Sequence, residues 1–309
     1  MIKTGNNMVS NKKWNEGKKR DAVAGLLMIL PCVLFITVFV MIPLVFALYR
    51  SLLDYRVYSD VQEWVGLKNY IQILSTELFM DSFKNVLLLT AFIVALMVLC
   101  GFFFAHVLKN VSSKVSNAVK IIIYIPGLIS GMAASIIFLF LTNYSGGLIN
   151  GILSALNKDI IAFDREGIWP YVSIIFPSLW LGFGYNCLVL YAGLLNIPKT
   201  YYEAASLDGA SAWDRLWYIT LPNMKNYFVL IIVNLVAGNM QMFEIPLMMT
   251  GGGPLLKTYT PVLYVYNSYR DNAATQSLTI AAAVLIMIPI ALVNLIVFKV
   301  IKSEKSSDD

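Results

Sequence analysis

Charge is scarce in this chain. Of its 309 residues only 13% are Asp, Glu, Lys or Arg while 58% are hydrophobic, and the mean hydropathy is +0.70. That balance leaves too little polar surface to coat a soluble globule and argues against a soluble enzyme. Catalytic side chains are equally sparse. His106 is the single histidine, and no acid pair or metal-ligand spacing accompanies it. Cys32, Cys100 and Cys187 each lie alone in an apolar run with no CxxC, which supports neither a disulfide framework nor a zinc site. The 23 basic side chains exceed the 18 acidic ones by five, yet they form no stripe interleaved with aromatics, so no nucleic-acid partner is expected. A nucleotide site is missing too: the nearest phosphate-loop lookalike, Gly251-Gly252-Gly253-Pro254-Leu255-Leu256-Lys257-Thr258, lacks the Gly before Lys that the loop geometry needs.

What the chain has instead is long uncharged runs. A charged side chain at the bilayer centre costs roughly 2.5–3.5 kcal/mol on the insertion scale, so charges mark the ends of spans. Spans are expected at 22–49, 85–108, 121–142, 169–196, 227–250 and 272–298, and only the fifth carries a charge, Glu244. The first is too long for a signal-peptide core and no small-residue cleavage site follows it. The expected fold class is therefore an all-α integral membrane protein with six transmembrane helices. A tail over 1–21 and another over 301–309 would flank a membrane domain over 22–300. The two tails and the connections after the second and fourth spans hold fifteen Lys or Arg, the other connections eight, which places both termini in the cytoplasm. Pro31, Pro43, Pro126, Pro177 and Pro289 fall inside spans and predict the kinked helices that suit a cavity. Gly127 and Gly131 form a GxxxG, read as a packing contact.

The cytoplasmic connection over 196–226 is far longer than the usual two to eight residues between packed helices. Thr200 with Glu203, and Ser211 with Asp214, have capping-box spacing, and Gly209 stands where a positive φ would end the first of two short helices. Ala204 and Ala205 keep that helix slim. Trp213, Leu216, Trp217 and Ile219 give the second an apolar surface, and Pro222 is expected to stop it. A helical hairpin with protruding apolar residues reads as a knob for a partner's cleft. The plainer alternative is an amphipathic helix lying on lipid headgroups.

These residues carry a resemblance. Glu203-Ala204-Ala205, Asp208-Gly209-Ala210-Ser211 and Ile219-Thr220-Leu221-Pro222 resemble the EAA loop of ATP-binding-cassette (ABC) importer permeases. The fuller form, from Leu195-Asn196-Ile197-Pro198, looks like the carbohydrate-uptake branch that includes the maltose and glycerol-phosphate permeases. Gly251-Gly252-Gly253-Pro254 and Gly146-Gly147-Leu148-Ile149-Asn150 are similar to glycine segments of that branch, and the match covers about residues 22–300. Two departures are Phe138, where a Trp is common, and Asn272-Ala273-Ala274, in place of the usual Gly-Tyr-Ala. The resemblance implies a multi-pass subunit of the bacterial cytoplasmic (inner) membrane. It implies two partner ATPase subunits that bind the ATP and Mg, a second permease and an extracytoplasmic solute-binding protein, with no cofactor in this chain. It also implies that the EAA hairpin, through Glu203, Ala204, Ala205, Asp208, Gly209, Ser211, Trp213 and Leu216, couples to an ATPase.

Substrate recognition needs polar and aromatic groups facing a cavity. Asn234, Asn239, Gln241, Phe243 and Glu244 in the fifth span form the first cluster, since amides and carboxylates bind hydroxyls and an aromatic face covers a sugar ring. The spacing of Asn239, Phe243 and, more loosely, Gln241 and Glu244 puts them within one to two turns. Trp180, Tyr185 and Asn186 form the second, and for each residue packing between helices is the bland alternative. By the resemblance, Gln241 and Met242 fall where the maltose-type permease has paired asparagines in its sugar site. No span contains Lys or Arg, so neutral sugars are favoured over glycerol phosphate. An ion-coupled secondary transporter is the rival class, and only Glu244 speaks for it.

Overall fold

The computed structural model describes residues 5–55, 62–271 and 276–305. Lys3, Arg56, Asp60, the Asn272-Ala273-Ala274 departure and residues 306–309 lie outside them. The chain opens with a long helix made of α1 (Gly5–Ile36), one π-helical turn (Thr37–Met41) and α2 (Ile42–Ser51). The wide turn falls just before Pro43, which has no N–H to continue an α-helical ladder. Its apolar stretch Asp21–Ser51 is long enough to span a bilayer, yet none of that stretch's most apolar window is buried in the fold. Strands β1 (Leu53–Tyr55) and β2 (Gln62–Trp64) then form an antiparallel ribbon with Leu53 opposite Trp64. This ribbon is the exception, among the described residues, to the all-α expectation. Asn69 of α3 (Lys68–Leu74) pins it by donating to the carbonyls of Ser51 and Leu53 at 2.8 and 2.9 Å.

The mast of the fold is α4 (Glu77–Asn110). Its buried residues Val86, Leu89, Ile93, Met97, Gly101, Ala105 and Leu108 recur every three or four positions, the period of one helical face. That face packs against α8 (Trp169–Asn196) and α11 (Leu221–Met240). One apolar core, with Leu108, Leu190, Leu194, Ile197, Met224 and Ile231 fully or almost fully buried, joins these three helices near one end. A second, around Phe79, Ile73, Ala282 and Ile286, joins α3 and α4 to α14 (Gln276–Lys305) at the other. Cys187 is buried in the first core.

Two expected spans are not single helices. The third consists of α5 (Ser113–Tyr124), a 3-10 turn (Ile125–Leu128) and α6 (Gly131–Thr142), and the two halves are bent by 100°. Pro126 withholds a donor, and Ile129 and Ser130 are extended, so the ladder stops and restarts. Gly127 and Gly131 flank this bend instead of lining one helix face, yet both serve close packing: a Cβ on Gly127 would stand 3.1 Å from the Leu181 carbonyl oxygen of α8. The fifth helix ends at Met240, and α12 (Glu244–Met249) begins after a short non-helical link. Asn239 and Glu244 therefore do not share one continuous helix. Short helices α7 (Leu148–Ala155) and α13 (Pro261–Asp271) lie in the connections. Among the described residues, four unbroken helices are long and apolar enough to cross a membrane, and the bent pair makes a fifth.

Candidate functional site

The connection over 196–226 is a helical hairpin: α9 (Lys199–Leu207), a turn, then α10 (Ala212–Arg215). Gly209 adopts φ +78°, and the N–H of Ala210 donates to the carbonyl of Ala205 at 2.9 Å, the closure expected when a left-handed residue ends a helix. A Cβ on Gly209 would meet nothing within 4 Å, so the demand for glycine is purely conformational. Ser211 and Asp214 form the reciprocal cap: Asp214 Oδ2 accepts from the Ser211 N–H at 2.9 Å, and Ser211 Oγ accepts from the Asp214 N–H at 3.2 Å. The other expected box does not form. Helix α9 starts after Pro198, two positions earlier than a Thr200 cap requires, and Glu203 stays exposed. Tyr202 bonds Thr220 at 2.9 Å and Arg215 donates to Ser206 at 3.1 Å, which ties the arms together.

Pro222 does not stop the second arm. A π-helical turn (Leu216–Thr220) links α10 to α11, so one helix continues from Ala212 to Met240. The Thr220 hydroxyl donates to the Arg215 carbonyl at 3.2 Å inside that wide turn, which accommodates the donor that Pro222 lacks. Leu207, Trp213, Trp217 and Tyr218 are 60–90% exposed. Leu216 and Ile219 turn inward, and Ile219 packs on the first core. Leu207 and Tyr218 were not singled out from sequence, although a Leu just before an Asp-Gly turn is a signal for an apolar tip.

At the far end of α11 the two broken helices meet. The N–H of Met132, in the first turn of α6, donates to Glu244 Oε2 at 2.9 Å, and Ser130 Oγ accepts from the Ala133 N–H at 3.2 Å. A helix N-terminus leaves its first N–H groups without helical partners and carries a partial positive charge, so a carboxylate fits there. Gly131 leaves room for it: a Cβ there would stand 2.6 Å from Glu244 Oε2. Phe243 packs instead on Tyr266 of α13, ring centroids 4.9 Å apart and planes tilted by 55°.

The remaining sugar candidates scatter. Asn239 and Gln241 donate to their own helix, at the carbonyls of Leu235 (2.7 Å) and Ala237 (2.9 Å). Asn234 and Gln241 are exposed, Tyr185 is half-exposed, and Trp180 meets Phe138 edge-on at 5.5 Å. Asn186 is buried and donates to the Gly182 carbonyl at 2.8 Å. Sequence reasoning missed Ser130 and read Gly131 only as a packing glycine, although their breaker-rich surroundings, Pro126-Gly127-Leu128-Ile129-Ser130-Gly131, were the available signal.

Comparison with known proteins bears on this arrangement. A family model described as "Binding-protein-dependent transport system inner membrane component" matches residues 97–304. The trehalose/maltose transport system permease protein MalF of Thermococcus litoralis is 30% identical over 284 residues, covering 91% of this chain and 94% of that protein. The sn-glycerol-3-phosphate transport system permease protein UgpA of Escherichia coli is 27% identical, covering 90% and 94%. Among solved structures, a chain of a bacterial alginate ABC transporter in complex with an alginate pentasaccharide-bound periplasmic protein superposes with a TM-score of 0.77 at 22% identity, covering 91% of this chain and 94% of that one. That likeness is one of fold.

Proposed function

Because the chain belongs to the binding-protein-dependent transport system inner membrane component family, we propose that it forms half of the path by which an ATP-driven importer moves a sugar or oligosaccharide across the inner membrane. It is a non-catalytic ABC permease subunit. The observation that carries the coupling mechanism is the continuity of Ala212–Met240, which runs from the exposed hairpin through the membrane to the break at Gln241–Phe243. ATP and Mg bind two partner ATPases, and one of these grips the hairpin by Glu203, Trp213 and the Leu207 tip. Closure of the ATPases pushes the hairpin, and a single rigid helix carries the displacement to mid-membrane. There the Glu244 bond moves α6 with it.

Further features support the finer points. The six-span topology with both termini cytoplasmic rests on the charge bias and on the length of α14, 30 residues. The unburied α1 arm fits a second permease subunit, since an apolar helix leaning away from its own bundle has surface to offer. A neutral sugar, delivered by a solute-binding protein, is favoured by spans without Lys or Arg and by the exposed amides of Asn234 and Gln241. The ion-coupled reading loses its support because Glu244, the acid it needs, is engaged by a helix N-terminus. Uptake by reconstituted vesicles is the test. Uptake should need ATP and the ATPases and persist when the proton gradient is collapsed. Uptake without ATP would sink the proposal.

A further inference from the structure

Where α4 ends beside the hairpin, a pocket of about 720 Å³ opens between α4, α9 and α10. Its lining is divided by chemistry. Phe102 and Phe103 of α4 form an apolar wall, and Phe103 is 70% exposed on the lipid-facing side of the spanning helix. Beside them on the same helix stand His106 and Lys109, and the hairpin adds Lys199 and Arg215, with Glu203 the one acid in the lining. Lys109 donates to the Leu194 carbonyl at 3.1 Å and lies 4.9 Å from the centre of the Tyr202 ring. Arg215 is held by Ser206. Among the described residues none of these three cations pairs with a carboxylate within 4.0 Å. Three cations facing a single lining acid, Glu203, leave a net positive charge, and an anion between them relieves their repulsion.

We propose that this pocket binds the phosphate headgroup of an anionic phospholipid from the cytosolic leaflet, with Lys109, Lys199 and Arg215 around the phosphate and the acyl chains along Phe102 and Phe103. The apolar wall selects lipid over a soluble phosphate. It is continuous with the membrane-facing surface of α4, where an acyl chain gains contact and a free ion gains nothing. Basic pockets between membrane helices on the cytosolic side are the recurrent form of such sites. The bound lipid would bridge the spanning α4 to both arms of the hairpin, so the charge of the leaflet sets how firmly the hairpin is seated. The leaflet assignment rests on the cytoplasmic placement of the hairpin under "Proposed function".

The full-length protein in detergent, exposed to dioleoyl phosphatidylglycerol or dioleoyl phosphatidylcholine and read by native mass spectrometry, tests this. Phosphatidylglycerol should be retained where phosphatidylcholine is lost. Lys199→Gln, at an exposed position, should weaken retention about fivefold, and Lys109→Gln with Lys199→Gln about 25-fold, a factor of about five per charge. Lys109→Arg with Lys199→Arg should hold the lipid within about twofold of wild type. Equal retention of the two lipids, or unchanged retention in the Gln variants, overturns the proposal. So does displacement of phosphatidylglycerol by millimolar inorganic phosphate, which would mark a site for a soluble anion. Retention is read in detergent, where sidedness plays no part, so failure of the lipid site and failure of the orientation are separate results.

Discussion

Gly209 and Glu244 lie just beyond the two ends of the long helix Ala212–Met240 and are held by different physics, so their variants should fail differently. Gly209 is required by its φ of +78° alone, with open space around it. A β-branched residue in that conformation costs about 1–2 kcal/mol, whereas Asn enters it readily. Gly209→Val should therefore lower uptake and co-purification of the ATPase while the protein still inserts, and Gly209→Asn should keep most of both. Glu244 is required by a partner. Glu244→Gln removes the charge that faces the α6 N-terminus, an interaction of about 0.3–1 kcal/mol at this exposed position, and Gly131→Ala displaces the same oxygen sterically. If they break one contact, thermal denaturation of the two singles and the double variant should give a double little worse than either single. Full additivity would separate Glu244 from α6 and return it to the cavity as a free carboxylate.

The hairpin was legible in the sequence because its determinants are local. Ser211 and Asp214 cap within three residues, and Gly209 terminates α9 by its own backbone preference. The joint between α6 and α12 was not legible. Pro126 announced a bend, but the partner that satisfies the broken end, Glu244, lies 112 positions from Met132. Spacing within the fifth span put Asn239, Gln241, Phe243 and Glu244 within one to two turns, whereas the helix ends at Met240 and Phe243 and Glu244 meet different neighbours. Pro222 misled for a related reason: proline breaks an α-helix in general, but the π-helical turn at Leu216–Thr220 carries the helix past it. That continuity is testable. A Gly-Gly insertion after Thr220 adds backbone freedom and rotates α11 relative to the hairpin. It should leave the hairpin to bind ATPase and permit ATP hydrolysis while uptake falls at least tenfold. Proteoliposomes in which hydrolysis and uptake are measured together would read this, and equal loss of both would mean that the insertion damaged docking instead of transmission.

Across the whole molecule, the sidedness of the hairpin decides whether the parts compose a machine. Fifteen of 23 basic residues fall in the tails and in the connections on the hairpin's side, and a bilayer keeps such residues in the cytosol. The apolar tip would then meet the compartment that holds ATP, and the short helices α7 and α13 would lie in connections on the opposite face. Leu207 is the place to read it, being 90% exposed at the tip. The native cysteines interfere little: Cys32 and Cys100 lie in apolar spanning helices and Cys187 is buried, so a membrane-impermeant maleimide finds no thiolate in water on either face. A Leu207→Cys variant should be labelled in inside-out vesicles and stay unlabelled in right-side-out ones until the membrane is opened. Docked ATPase should slow that labelling, because the tip enters its cleft, and washing the ATPase away should restore it. Labelling from the outer face would place the hairpin beyond the reach of ATP and overturn the coupling mechanism, whatever the cargo.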